Sequence, residues 1–277
     1  MTLRLQLEHT TGYAYPREVA SSYNEARLVP QTTRGQLTLS SAVQTTPAAP
    51  QQCYWDYWGT QVTVFDLSTR HDRLQVVASS VVDTADATEP GRPTWAQVAE
   101  VRDRHAELIV PSIRTTPDVE LLDLARRMSA GKAPYDVVMA VEELVRERVS
   151  YVPGSTGVQT SALEAWRLGK GVCQDIAHVT LAFLRATGLP ARYVSGYLHP
   201  KTAPEIGVLS TGESHAWVEV WLDGWWATDP TNGIPAGERH VVVARGRDYT
   251  DVPPLKGVYA GGGSPVLSVN VSVTRLA

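Results

Sequence analysis

Cysteine is scarce: the 277 residues contain only two, Cys53 and Cys173. That excludes a disulfide framework and a four-thiolate metal site. Two free thiols in a reducing compartment is a simpler arrangement than one bridge, and a cytoplasmic location is expected. No apolar run approaches the ~18–20 residues that span a bilayer, and the start, MTLRLQLEHT, alternates polar and apolar residues without a signal-peptide core. Charge is also thin, at 19% of residues, with a formal net charge of -4. A chain so poor in excess positive charge is not expected to bind nucleic acid, and nothing in it points to a membrane partner. Lysine occurs only at positions 132, 170, 201 and 256, and phenylalanine twice against 8 Trp and 11 Tyr; compositional bias explains both. No acidic run has the spacing of a calcium loop. Cys173, His178 and His199 lack the spacing and the fourth ligand of a zinc site. No metal or cofactor is therefore expected.

What the chain does have is apolar material, 43% of residues, enough for a substantial core. The first third reads as β. Leu3, Leu5 and Leu7 alternate with Arg4, Gln6 and Glu8, and further short strands are predicted at 36–43, 53–58, 61–67 and 74–82, separated by turn-rich stretches. The polar segment 83–94 opens a linker. Helical spacing then predicts helices over 118–128 and 135–149, and a third opening near Cys173 that is apolar on almost every side until Gly188 and Pro190. Period two resumes at 191–198, 215–222, 225–228, 240–244 and in the C-terminal run 267–274. The predicted organisation is a β domain over 1–85, a linker over 86–117, a catalytic core over 118–250 and an extension over 251–277 whose last strand pairs back onto the N-terminal sheet.

Cys173 lies in Gly-Val-Cys-Gln-Asp, where glycine gives way to a buried helix. A helix N-terminus favours negative charge, and the thiolate is the nucleophilic form of cysteine. A thiol also needs a base and a group that orients the base. His215 heads one strand and Asp229 ends the next, across a hairpin turning at Asp223-Gly224. A symmetric two-residue loop would oppose Val218 to Asp229 and point the carboxylate away from His215. A three-residue loop, with Gly224 in the left-handed conformation, opposes Trp217 to Asp229 and makes His215 its diagonal neighbour. The longer turn, or a bulge, is therefore expected. His178 lies about 140° round the helix from Cys173 and cannot serve as the base. Cys53, beside Tyr54 and Trp55 on a strand, reads as a packing residue. Trp217, Trp221, Trp225 and Trp226 form either an acyl groove or part of the core.

Four motifs now stand in order: Gly171-Val172-Cys173-Gln174-Asp175, Ala191-Arg192-Tyr193-Val194-Ser195-Gly196-Tyr197, Ser214-His215-Ala216-Trp217-Val218-Glu219-Val220 and Asp229-Pro230-Thr231-Asn232. Together they closely resemble the bacterial transglutaminase-like family. Tyr23 to Pro30, Asp56-Tyr57-Trp58-Gly59 and the stretch from Gly246 to Pro254 extend the resemblance over most of the chain. It implies an α+β fold: a papain-like transglutaminase core, with the Cys-bearing helix against an antiparallel sheet, preceded by a small antiparallel β-sandwich. It also implies Cys173 as nucleophile, His215 as general base and acid, and Asp229 as orienter.

The implied chemistry is acyl transfer from a carboxamide or peptide bond through a Cys173 thioester. Water as acceptor gives a protease or amidase; an amine gives a transglutaminase or a biosynthetic amide-forming enzyme. A module that only binds peptides on the same fold is the remaining alternative. Substrates are expected to be peptides, proteins or small amides, with an amine as a second partner in the transfer reaction. The backbone N–H of Cys173 is the first oxyanion donor. Tyr151, Gln174 and Tyr197 are candidates for the second, and Trp166, Asp175 and Trp217 for substrate contact. Calcium activation, as in animal transglutaminases, is not expected. The sequence does not fix the oligomeric state.

Overall fold

In the computed structural model, residues 2–212 and 214–277 are described. The N-terminal strands are β1 (Leu3–Ala26), β2 (Gln36–Thr46), β3 (Gln51–Trp55), β4 (Gln61–Leu67) and β5 (His71–Thr84). The helical part holds α1 (Trp95–Glu100), α2 (Val119–Ser129), α3 (Pro134–Arg148), the two-residue β6 (Ser150–Tyr151), α4 (Ala162–Leu168), β7 (Lys170–Gly171) and α5 (Cys173–Ala186). Then follow β8 (Ala191–Leu198), β9 (Leu209–Gly212), β10 (Ser214–Trp221), β11 (Trp225–Asp229), β12 (Ile234–Pro235), β13 (His240–Gly246), β14 (Leu255–Gly261) and β15 (Val266–Arg275). No helix among the described residues is long and apolar enough to cross a membrane.

β1 is far longer than the alternation of its first leucines suggests, and it changes partners halfway. Residues 5–14 run between β5 and β15, whereas residues 22–26 run between β4 and β14. The pairing slips around Pro16, which has no N–H to give to a ladder. The eight strands thus form one hydrogen-bonded sheet whose two parts share β1. Phe65 and Leu67 of β4 and Leu74, Val76 and Ala78 of β5 close over one core with Tyr15 and Val19. The other end of β1 serves a second core. Leu3, Leu5 and Leu7, with Val82, Val271 and Val273, pack into the same cluster as α2, α3 and α5. At roughly 25 cal/mol per Å2, the burial of such aliphatic side chains is what binds the N-terminal sheet to the helices.

The stretch expected to be a linker carries its own helix, α1, because Thr94 and Gln97 form a capping box. α4 also begins at a capping box, Ser161 with Glu164. Its Ser-x-x-Glu signature is a helix-start signal carried by the sequence itself. α5 is enclosed by α2, α3 and α4 on one side and by a five-stranded antiparallel sheet, ordered β12-β11-β10-β8-β13, on the other. That enclosure explains its nearly continuous apolar sequence. Cys53 lies on β3, every residue of which is exposed. It is therefore not the packing residue expected, since β3 is an outer strand with nothing laid over it.

Candidate active site

Cys173 is the first residue of α5, and three local features put it there. Asp175 reaches back so that its Oδ2 accepts the Val172 N–H at 2.8 Å, starting the helix. Thr156 donates to the same oxygen at 2.5 Å. Gly171 leaves room for this turn: a Cβ there would lie 2.6 Å from the Asp175 Cβ. Asp175 is fully buried. Burial raises its pKa, partly opposed by these donors. It is a helix-starting residue, enclosed and away from the cleft.

The hairpin carrying His215 and Asp229 pairs Trp221 with Trp225 and Val218 with Thr228, around a three-residue loop. One further step of this register sets Asp229 opposite Trp217 and diagonal to His215, as the longer turn requires. The residue in the left-handed helical well is Asp223, at φ 58°, and Gly224 lies at 134°, so the positive dihedrals are shared by both. Asp tolerates that well better than most side chains.

His215 Nε2 donates to Asp229 Oδ2 at 2.7 Å. The Cys173 side chain lies beside His215, both lining the same cavities, and favours the charged imidazole. Because Asp229 occupies Nε2, Nδ1 is the nitrogen left for the sulfur. Burial disfavours the imidazolium, but the hydrogen bonds and charges of Asp229 and Cys173 outweigh it and lift the His215 pKa to about 10. Asp229 shows the complementary behaviour. It is fully buried, which alone would raise its pKa, yet its donors hold the carboxyl far below the ordinary range. Oδ1 accepts the backbone N–H groups of Thr231 and Asn232, at 3.1 and 3.2 Å, as in an Asx turn. Oδ2 accepts from Asn232 Nδ2 at 2.7 Å and from His240 Nε2 at 3.2 Å. The sequence does not single out His240 as a site residue, because one histidine at the head of a strand gives no spacing signal. Asn232 closes the Asp229-Pro230-Thr231-Asn232 motif, whose Asp-x-x-Asn spacing is the signal for its turn.

Two cavities meet at Cys173 and His215, of about 520 and 410 Å3. The first is bounded by Leu198, Pro200, Thr211 and Asn232. The second is more apolar, with Val172, Tyr193, Val269 and Val271 among its walls. Tyr151 and Gly212 line both. β6 and β7 place Tyr151 by pairing it with Gly171, two residues before the cysteine. Gln174 lines the second cavity. Val269 and Val271 belong to β15, which pairs with both β1 and β9, so the N-terminal sheet supplies one wall of the cleft.

Besides Asp175, three expected contacts are not brought to the cavities. Tyr197 turns to the N-terminal sheet, where its hydroxyl meets His9 Nδ1 at 3.0 Å. Trp166 packs edge-on against Phe183, 5.0 Å between centroids. Trp217 is wholly buried, its ring against those of His215 and His240. Nor do the other tryptophans make an acyl groove. Trp226 is buried with Nε1 donating to Thr88 O, Trp225 lies under the Arg192 guanidinium, and Trp221 packs against the core. Behind His215 on the same face, Glu219 is buried between Arg192 and Arg245, at 2.6 and 2.8 Å. Burial works against this carboxylate, but the two arginines hold its pKa down at about 2.

His178 is likewise engaged elsewhere. Its Nε2 accepts the Tyr249 N–H at 3.1 Å, and burial lowers its pKa to about 3. Among the described residues, the group whose donor atoms are close enough to hold a metal is His215, Asp229 and His240, within 4.8 Å of one another. Both imidazoles hydrogen-bond the carboxylate there, so the arrangement is already satisfied without an ion.

Comparison with known proteins gives a consistent result. Residues 122–230 match the model of the transglutaminase-like superfamily, and residues 5–83 that of the bacterial transglutaminase-like N-terminal region. An uncharacterized protein of Mycobacterium leprae is 44% identical over 278 residues, covering 99% of each chain. A protein-glutamine gamma-glutamyltransferase of Pseudomonas aeruginosa is 40% identical over 65 residues, which is 22% of this chain and 10% of that one. The crystal structure of a protein from Cytophaga hutchinsonii, provisionally named a cysteine protease, superposes with a TM-score of 0.83 at 22% identity, covering 100% of this chain and 92% of that one. At that identity the likeness speaks for the fold.

Proposed function

The chain belongs to the transglutaminase-like superfamily, and from that premise we propose that it is a cysteine-dependent acyl-transfer enzyme that cleaves peptide or amide bonds. One observation carries the reading: Cys173, at a helix N-terminus and open to two cavities, shares them with a histidine that Asp229 holds. An imidazolium at His215 is the counter-ion that a Cys173 thiolate needs. The thiolate attacks the amide carbonyl, forming an S–C bond and placing the negative charge on oxygen. The Cys173 backbone N–H, in the first turn of α5, is the first donor to that oxyanion. Gln174 and Tyr151, both lining the cleft, are retained as candidates for the second; Tyr197, committed to His9, is not. The C–N bond then breaks, His215 gives its proton to the departing nitrogen, and a thioester remains. Water, deprotonated by His215, attacks the thioester and releases the acid and the thiol.

Two cavities meeting at one sulfur also suit a second reading, in which an amine enters from one side while the acyl group occupies the other. The partial likeness to the Pseudomonas glutamyltransferase agrees with it. Incubating a Gln-bearing peptide library with and without a primary amine, and weighing the products, separates the two. Shortened or deamidated peptides support hydrolysis, whereas amine-dependent adducts overturn it in favour of transfer. Unaltered peptides in both arms, with Cys173 no more reactive than Cys53 to iodoacetamide, would reduce the protein to a peptide-binding module. The two free cysteines fit a reducing compartment, which we take to be the cytoplasm.

A further inference from the structure

His240 begins β13, which is separated from β10 by β8 in the sheet order, yet its ring reaches the carboxylate at the end of β11. The reach depends on what lies between. On β8, Gly196 pairs with both His215 and Val242. A Cβ at Gly196 would fall 2.0 Å from the Val241 carbonyl oxygen and 2.7 Å from the Trp217 ring. With no side chain there, Trp217 slides across the face and packs edge-on against His240, 5.2 Å between centroids. The ring of His240 is also oriented from behind. Its Nδ1 accepts the Gly237 N–H at 3.2 Å, which places the proton of the neutral ring on Nε2. That proton points at Asp229 Oδ2, 3.2 Å away, the oxygen that also takes the His215 N–H.

We propose that His240 is a positioning residue: a buried, neutral N–H donor that fixes the plane of the Asp229 carboxylate so that its Oδ2 stays aligned with His215. The proposal rests on reading Cys173 and His215 as the reactive pair. A neutral donor suits the task, because a second cation on Asp229 would compete with the His215 imidazolium for the same charge. The charged and titratable groups around the ring are Asp229 of β11, His215 of β10 and the neighbouring Arg239. Burial and the two cations disfavour protonating His240, and they outweigh Asp229, so its pKa lies below the ordinary value.

The test compares His240→Phe, which keeps a ring against Trp217 but loses the donor, with His240→Gln, which keeps an N–H for Asp229. The probe is iodoacetamide, with labelling of Cys173 followed against Cys53 by peptide mass spectrometry across pH. The expected result is that His240→Phe slows Cys173 labelling about tenfold, the loss usual for a hydrogen bond to a charged group, and moves the acid limb of the profile upward. His240→Gln should stay within about threefold of wild type, with the limb in place. Equal behaviour of the two variants, both fast or both slow, overturns the proposal. Should either fail to fold, the wild type still decides: 15N chemical shifts of His240 must show the Nε2–H tautomer at neutral pH, and an Nδ1–H tautomer overturns it. Wild-type Cys173 labelling no faster than Cys53 defeats the reactive-pair reading instead, a result distinct from either.

Discussion

The most direct test of the reactive pair is Asp229→Asn, read by the competition between the two thiols of one chain. Asp229 is buried and accepts five donors, so an amide placed there turns an N–H toward at least one of them. The His215 pKa stands at about 10 instead of 6.5. At 1.36 kcal/mol per pKa unit, that gap is worth roughly 5 kcal/mol to the imidazolium. His215 is nearly buried, so solvent screening reduces this little. Asp229 and Cys173 share the effect, and taking about two-fifths for Asp229 gives ~2 kcal/mol, or about a 30-fold loss of the ion pair. With its partner gone and its burial unchanged, the imidazole is driven toward the neutral form. Near pH 7, Asp229→Asn should therefore slow iodoacetamide capture of Cys173 about 30-fold. Cys53, exposed on β3, should react at its former rate and serves as the internal standard. An unchanged Cys173-to-Cys53 labelling ratio in a folded Asp229→Asn protein would refute the assignment of Asp229 as the group that holds His215.

Three further outcomes follow from packing and proton linkage. Glu219→Ala leaves Arg192 and Arg245 buried without their shared carboxylate, and unfolding in urea should show a loss of about 3–5 kcal/mol; a loss below ~1 kcal/mol would mean the pairs are solvated. Gly196→Ala puts a Cβ against the Val241 backbone and Trp217, so it should cost at least ~2 kcal/mol by the same measurement and slow Cys173 labelling as well. His9, buried between Thr11 and Tyr197, has its pKa lowered to about 4 by burial. The unfolded chain therefore binds more protons than the folded one between pH 6.5 and about 4, and stability falls as pH drops through that window. His178, lowered to about 3, acts in the same sense. Urea midpoints measured from pH 7 to pH 4.5 should fall steadily, and His9→Gln should flatten the decline; an identical slope in that variant would remove His9 as a cause.

Local patterns were legible where they record a local constraint. The alternation of Leu3, Leu5 and Leu7, the apolar circumference of α5 and the Asp223-Gly224 turn each reflect what those residues touch within a few positions, and the structure places strand, buried helix and hairpin there. The register of the hairpin was legible as well, since side-chain alternation and loop length together constrain which residues oppose Asp229. Side-chain contacts between distant segments were not. Nothing near His240 announces that its ring crosses β8 to reach Asp229, because the crossing depends on the missing side chain at Gly196 and on Trp217 filling the space. Tyr197 looked suited to an oxyanion only until His9, 188 residues earlier, proved to take its hydroxyl. Cys53 departs from its expected packing role because alternation does not tell an outer strand from a covered one.

The arrangement of the sheets explains why the cleft cannot be assigned to the helical part alone. Leu3, Leu5 and Leu7 enter the core that encloses α5, and Val269 and Val271 of the last strand form a wall beside Cys173. β15 lies between β1 and β9, and β9 lies within the segment that leads into the His215 strand. Position along the chain therefore divides what packing joins: residues 118–250 carry Cys173, His215, Asp229 and His240, but not the surface that faces them across the second cavity. A molecule filling the second cavity would touch both the residues around Cys173 and the last strand. On the proposed function, β15 would take part in selecting among acyl groups, while the polar groups that hold His215 lie on β11, the loop after it and β13. Substitutions at the exposed Val269 should then alter which peptides are taken without altering how fast iodoacetamide finds Cys173, because the two properties reside on different sheets.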